Sequence, residues 1–249
     1  MLIPALDLIN GEVVRLQQGD FAKQTTFHAD PIPVAQAYQR AGAQWLHLVD
    51  LDGARDSGKR QLSLLQRITA ATTLQVQVGG GIRQTADVAN LLAAGVKRVV
   101  VGSTAVQKPE LVQQWLREFG SAAIVVAIDV NIDDEQQPWV AVNGWRETSD
   151  KTLAQTLEPL LAAGCEHVLC TDISRDGMLT GANVELYKSL KQQYPQVQWQ
   201  ASGGVASLAD LVALQAVNCD AAILGKALLT GKFTLEEALA CWPNASSPA

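Results

Sequence analysis

The chain predicts an α/β protein folded as a (β/α)8 barrel, the TIM-barrel architecture, and three observations carry that expectation. Short β-branched runs alternate with amphipathic stretches eight times, the pattern of a parallel sheet covered by helices. With 249 residues, each unit has about 31, which suits a barrel of ~250. Four islands of similarity also recur at a fixed distance. Ile3–Asp7 resembles Val125–Asp129, and Ala41-Gly42 with Leu48–Asp50 resembles Ala163-Gly164 with Cys170–Asp172, both at an offset of 122. Gly80–Ile82 matches Gly203–Val205, and Val101–Ser103 matches Leu224–Lys226, both at 123. A doubly wound sheet shares the alternation but has no reason to repeat its third and fourth loops. The expectation is therefore one domain, residues 1–249, made of two repeated half-barrels at roughly 1–121 and 122–242.

The elements follow in order. Strand Leu2–Leu8 leads to helix Pro33–Ala41, Trp45–Leu51 to Leu62–Ala71, Leu74–Val78 to Thr85–Ala94, and Val96–Val101 to Pro109–Phe119. In the second half Ala122–Val130 leads to Lys151–Ala163, His167–Asp172 to Val184–Gln193, Val197–Ala201 to Leu208–Ala216, and Ala221–Leu224 to Leu235–Cys241. Apolar residues at helical spacing, such as Val88, Leu91 and Leu92, justify the helices. Two long polar connections remain, Gly19–Ala29 and Asn131–Asp150, both expected to close over a ligand.

Composition excludes several classes. The chain is 48% apolar and 18% charged, with 19 basic and 25 acidic side chains and a net charge of −6. That is globular rather than disordered, and an acidic chain disfavours nucleic acid as a partner. Met1–Asp7 has no basic n-region and breaks its apolar run with an aspartate, unlike a secretory leader. No run reaches the ~18 apolar residues of a membrane span. Cys165, Cys170, Cys219 and Cys241 form no C-x-x-C pair; they read as buried thiols of a cytoplasmic protein, with no metal expected.

Chemistry in such a barrel sits at the C-terminal ends of the strands. Asp7 and Asp129 end the first and fifth strands, opposite one another. One such aspartate is usually a cap or turn residue, but two at equivalent positions of opposite halves suggest a general acid and a general base. Gly80, Gly81 and Arg83 follow the third strand, Gly102 and Ser103 the fourth, Ser202, Gly203 and Gly204 the seventh, and Gly225 and Lys226 the eighth. Glycine lets backbone N–H groups approach an anion closely, so duplicated loops imply two phosphates on opposite sides of the mouth. Any one Gly pair would also suit a plain tight turn. Arg83, Lys226 and Arg15 would supply local positive charge. Asp50, Asp52, Thr171, Asp172, Ser174, Arg175 and Asp176 cluster after the second and sixth strands, some as sugar ligands and some as ordinary caps. Gly144, Trp145 and Arg146 occupy the long insertion, either a lid that stacks over a heterocycle or an exposed hairpin. His47, within a strand, reads as a wall histidine. A nucleophile elbow, a P-loop lysine, H-E-x-x-H and G-x-G-x-x-G are all absent.

The motifs Ala5–Gly11 (ALDLING), Val14–Asp20 (VRLQQGD), Asp50–Ala54 (DLDGA), Gly79–Arg83 (GGGIR) and Thr171–Gly177 (TDISRDG) together resemble one family. It is that of the phosphoribosylformimino-5-aminoimidazole carboxamide ribotide isomerases of histidine biosynthesis, and the likeness runs from Met1 to about Trp242. The sister family, the cyclase subunit of imidazole glycerol phosphate synthase, shares the half-barrel repeat. It typically has a cysteine before its first aspartate and a catalytic lysine in Val-Val-Lys-Gly, where this chain has Ala5 and Arg15-Leu16-Gln17.

The resemblance implies a cofactor-free Amadori rearrangement of an aminoaldose to an aminoketose on a small bisphosphorylated substrate, by a monomer. It implies Asp7 as base and Asp129 as acid, Thr171 at the reaction centre, and Asp176 as a substrate contact and rival acid. Gly19 and Gly177 fall in matching motifs as substrate contacts. The alternatives are the cyclase, a non-catalytic sugar-phosphate-binding barrel and, more remotely, a class I aldolase, for which no central strand ends in lysine.

Overall fold

The computed structural model describes residues 1–17, 19–142, 144–145 and 147–242. Arg146 lies outside them. The described chain forms twelve strands: β1 (Leu2–Ile9), β2 (Glu12–Gln17), β3 (Asp20–His28), β4 (Trp45–Asp50), β5 (Gln75–Gly79), β6 (Arg98–Val101), β7 (Ile124–Ile132), β8 (Pro138–Val142), β9 (Glu147–Thr152), β10 (His167–Asp172), β11 (Gln198–Ser202) and β12 (Ala221–Leu224).

Eight of these close a parallel barrel in the order β1, β4, β5, β6, β7, β10, β11, β12 and back to β1. The eight expected strands are thus the barrel staves, two with the bounds expected and the other six shifted by a residue or two. Helices follow as expected, from Pro31–Arg40 through Leu235–Cys241. Capping sets several starts: Asp30 accepts from the N–H of Ile32, and Thr152 and Thr234 form capping boxes with Gln155 and Glu237. The helix expected from Lys151 therefore begins at Leu153, because Lys151 and Thr152 finish β9.

Two cores result. One lies between the strands and the helices, with Leu46, Leu65, Leu91, Trp115, Leu157, Tyr187 and Trp199 at or below 1% exposure. A smaller one fills the barrel, built from Ile3, Ala5, Val100, Val125, Leu169, Ala221 and Ile223. Among these apolar side chains sits a buried polar bridge. Gln77 Nε2 donates to Gln200 Oε1 at 2.7 Å and meets His47 Nδ1 at 3.0 Å. Gln77 and Gln200 stand 123 residues apart, the offset already seen in the glycine loops.

The long connections differ from expectation in form. Gly19–Ala29 is mostly strand β3, which pairs antiparallel with β2, itself paired to β1. Asn131–Asp150 holds β8 and β9, an antiparallel extension of β7. Each half therefore grows a hairpin from its first barrel strand. The turn tips meet: a Cβ on Gly19 would lie 3.4 Å from Trp145 Cε3 and 3.5 Å from the Gly144 carbonyl oxygen. Gly19 has φ +73°, so a side chain there would be strained by the backbone although its Cβ would make only ordinary contacts.

Candidate active site

The C-terminal mouth of the barrel opens into a cavity of about 830 Å³, within the range of small-molecule sites. Asp7, Arg15 and Asp129 line it with Thr171, Asp176 and Gly177. So do Gly19 and Trp145 from the hairpins, and all the residues expected of the four glycine loops: Gly80, Gly81 and Arg83; Gly102 and Ser103; Ser202, Gly203 and Gly204; Gly225 and Lys226.

The carboxylates are set by strand register. Asp129 on β7 pairs with Thr171 on β10, and Asp7 on β1 pairs with Val49 on β4. Thr171 and Val49 are thus equivalent in the two halves, and only Thr171 carries a hydroxyl. Asp7 forms an ion pair with Arg15 Nη1 at 3.1 Å, and the other nitrogen of that guanidinium stands 3.7 Å from Asp176. Burial raises the Asp7 carboxyl above the usual carboxylate range; Arg15 opposes the shift and Asp176 adds to it. Burial raises Asp129 too, opposed by hydrogen bonds from Trp145 and Thr171 and reinforced by Asp176. The indole Nε1 of Trp145 donates to Asp129 at 2.8 Å. Asp7 thus has a cationic partner, whereas Asp129 has neutral donors.

The glycine loops repeat their geometry. Gly80 and Gly81 have φ of +113° and +67°, Gly203 and Gly204 of +91° and +85°. A Cβ on Gly80 would lie 2.2 Å from the Asp50 carbonyl oxygen, and one on Gly204 would lie 2.3 Å from that of Gly181. Only glycine lets these chains pack so closely. Gly102 and Gly225 share another conformation, φ/ψ of −95°/−104° and −104°/−97°. The charges around the loops do not repeat. Arg55, Arg83 and Lys108 line the cavity in the first half and Lys226 in the second. Lys226 Nζ donates to the Gly177 carbonyl at 2.6 Å, and Arg83 Nη2 to that of Ala54 at 2.7 Å.

The cluster after the second and sixth barrel strands divides cleanly. Asp50 is fully buried and accepts from the N–H groups of Gly53 and Gln61 and from the Gln61 side chain. Asp172 accepts from the backbone and hydroxyl of Ser174 and from Asn183 Nδ2, with Arg175 Nε at 3.5 Å. Asp52 holds the N–H of Asn10. These are loop-building groups, and Thr171 and Asp176 are the members that face the cavity. His47 also reaches the floor of the cavity; burial and nearby Arg15 push it down to about 4, so it is a neutral imidazole.

Arg55 and Lys108 were not among the expected cations, because neither sits in a repeated island. Arg60 was missed as well. It lies 20 residues before the loop it touches and has Ala182 as its counterpart in the other half, so spacing gave no signal. The four cysteines are free, and Cys165, Cys170 and Cys219 are buried. Among the described residues no helix is long and apolar enough to cross a membrane.

The Histidine biosynthesis protein family matches residues 1–234. The chain belongs to that family. A protein of Idiomarina loihiensis is 59% identical over 245 residues, which is 98% of this chain and 100% of its own length. One from Proteus mirabilis is 55% identical over 245 residues, and one from Vibrio cholerae 53% over 244, each again covering 98% of this chain and the whole relative. All three bear the name 1-(5-phosphoribosyl)-5-((5-phosphoribosylamino)methylideneamino) imidazole-4-carboxamide isomerase. Family membership and full-length likeness agree with the resemblance carried by the motifs.

Proposed function

We propose that the protein is an aldose–ketose isomerase of histidine biosynthesis. It converts the aminoaldose N'-(5'-phosphoribosylformimino)-5-aminoimidazole-4-carboxamide ribonucleotide to the corresponding aminoketose. The observation that carries this reading is one cavity holding Asp7 and Asp129 on opposite barrel strands between two like pairs of glycine loops. A bisphosphorylated substrate lies across the mouth, one phosphate at Gly80, Gly81, Gly102 and Ser103 and the other at Ser202, Gly203, Gly204, Gly225 and Lys226. Arg15, Arg83 and Gly177 border these positions, while Gly19 and Trp145 cover them.

Asp129 is the acid. Burial away from any cation favours its protonated form, and it gives that proton to the ribose ring oxygen as the C1–O bond breaks. The electron pair on the exocyclic nitrogen forms the protonated Schiff base. Asp7, kept ionisable by Arg15, removes the C2 proton and returns the pair to nitrogen as the enolamine, which tautomerises to the ketone. Thr171 holds Asp129 in register. Asp176, which shares Arg15 with Asp7, is the rival for the acid role. Proton transfer by positioned carboxylates needs no cofactor or metal.

The protein acts as one barrel of two repeated halves and as a monomer in the cytoplasm. Met178 and Val212 are the large apolar side chains exposed among the described residues, little for a partner to cover.

Purified protein given the aminoaldose should yield the aminoketose, whereas ammonia plus the aminoketose should give nothing. Asp7→Asn should lower turnover by about 10²–10⁴-fold with substrate affinity kept. Normal turnover in that variant, or saturable binding without product in the wild type, contradicts the reading.

A further inference from the structure

We propose that Arg60, which does not line the cavity, is the positioning residue that sets the first-half phosphate loop, an inference that rests on the reading of the glycine loops as anion sites. Its side chain is 7% exposed and lies behind the loop. Nη1 donates to the Gly80 carbonyl at 2.9 Å and Nη2 to the Gly81 carbonyl at 2.8 Å. Asp87 stands 3.7 Å from the same guanidinium and accepts from the N–H groups of Arg83 and Gln84. One arginine fork thus fixes two successive peptide planes, and the carboxylate beside it fixes the next two.

Peptide planarity turns this into chemistry. In a trans peptide the C=O of one residue and the N–H of the next point in opposite directions, and the described chain has no cis bonds. Pinning the Gly80 and Gly81 carbonyls on Arg60 therefore turns the N–H groups of Gly81 and Ile82 away from it. Gly81 and Ile82 both line the cavity, and neither N–H has a protein acceptor among the described residues. Two adjacent free donors, held by a charged fork and backed by its positive charge, form an anion site organised before the ligand arrives. Without the fork, glycines at φ +113° and +67° have other conformations open to them.

The second half does this differently. The Gly204 carbonyl accepts from the Gly181 N–H at 3.0 Å, and Arg175 donates to the Gly181 carbonyl rather than to the loop itself. Ala182 occupies the position equivalent to Arg60. Loss of Arg60 should consequently damage one anion site and spare the other.

The test is a titration of ¹⁵N-labelled protein with inorganic phosphate, followed at the amides of Gly81 and Ile82 and of Gly204 and Val205. In Arg60→Met, affinity at the first pair should fall about tenfold, the scale of losing hydrogen bonds to a charged donor. The second pair should titrate as in the wild type. Arg60→Lys, with one compact donor group in place of the fork, should fall between, and it makes the comparison should the methionine variant not fold. With the bisphosphorylated substrate, KM should rise by a similar factor while kcat stays within about twofold. Wild-type affinity at Gly81 and Ile82 in a folded variant overturns the proposal, as does equal loss at both loops or no response of these amides in the wild type. A wild type whose amides titrate normally but which does not isomerise the aminoaldose instead refutes the proposed activity and leaves Arg60 in its role.

Discussion

Asp129 and Asp7 are the same residue type at equivalent strand ends, and their surroundings separate them. Arg15 favours the ionised form of Asp7, whereas the donors to Asp129 are an indole N–H and a hydroxyl. The Trp145 bond lowers the Asp129 pKa because it is worth more to the carboxylate than to the acid. Trp145→Phe removes that donor and should move the Asp129 pKa further up. If Asp129 donates the catalytic proton, activity is lost as pH rises through that pKa, so the alkaline limb of kcat/KM should shift to higher pH even as the rate drops. An unmoved limb would hand the acid role to Asp176, which has no bond to the indole. Both aspartates could be read from the sequence, because the repeat singled them out. Their electrostatics could not, because Arg15 and Trp145 arrive from hairpins whose tertiary placement leaves no mark in spacing.

Among the elements, the glycine loops were legible and the hairpins only partly so. A pair of glycines after a strand announces a tight approach, and duplication at 123 residues made the announcement specific. The hairpins lack such a mark. Asp20–His28 is polar and mostly exposed, without the alternation that betrays a strand with one buried face, so it read as a loop. The expected covering role remains natural for two hairpins whose tips touch over the mouth. The glycines also differ in what they tolerate. A Cβ on Gly81 would meet the Gly53 carbonyl oxygen at 2.0 Å, while one on Gly164, also at positive φ (+93°), would meet nothing within 4 Å. Gly164→Ala should therefore cost only the backbone strain, about 1 kcal/mol in denaturant unfolding, with kinetics unchanged. Gly81→Ala adds a backbone clash and should cost about 2 kcal/mol or more, with KM raised because the loop must move. Equal effects of the two variants would contradict the close approach of Gly81 to Gly53.

For the whole molecule, the fold was the most legible level, since length, alternation and offset all pointed to one closed barrel, and the parallel staves close as expected. Net charge was the least informative: −6 overall coexists with a mouth lined by Arg15, Arg55, Arg83, Lys108 and Lys226. The buried Asp129 carboxyl beside them carries a cost that global stability should reveal. The folded protein raises the Asp129 pKa above its unfolded value of about 3.9. Between those two values the native state binds more protons than the unfolded state, so stability falls as pH rises through the window. Asparagine keeps an oxygen to accept from Trp145 but carries no charge. Asp129→Asn should therefore unfold later than the wild type at pH 7, by about 1 kcal/mol, or roughly 2–4 °C in Tm for a chain this long. The advantage should shrink on acidification and vanish below the unfolded pKa, where the wild-type carboxyl is protonated in both states. Denaturant curves of both proteins at neutral and acid pH measure this directly. A variant no more stable than the wild type at pH 7 would mean that the Trp145 and Thr171 bonds outweigh burial, leaving Asp129 too acidic to be the proton donor.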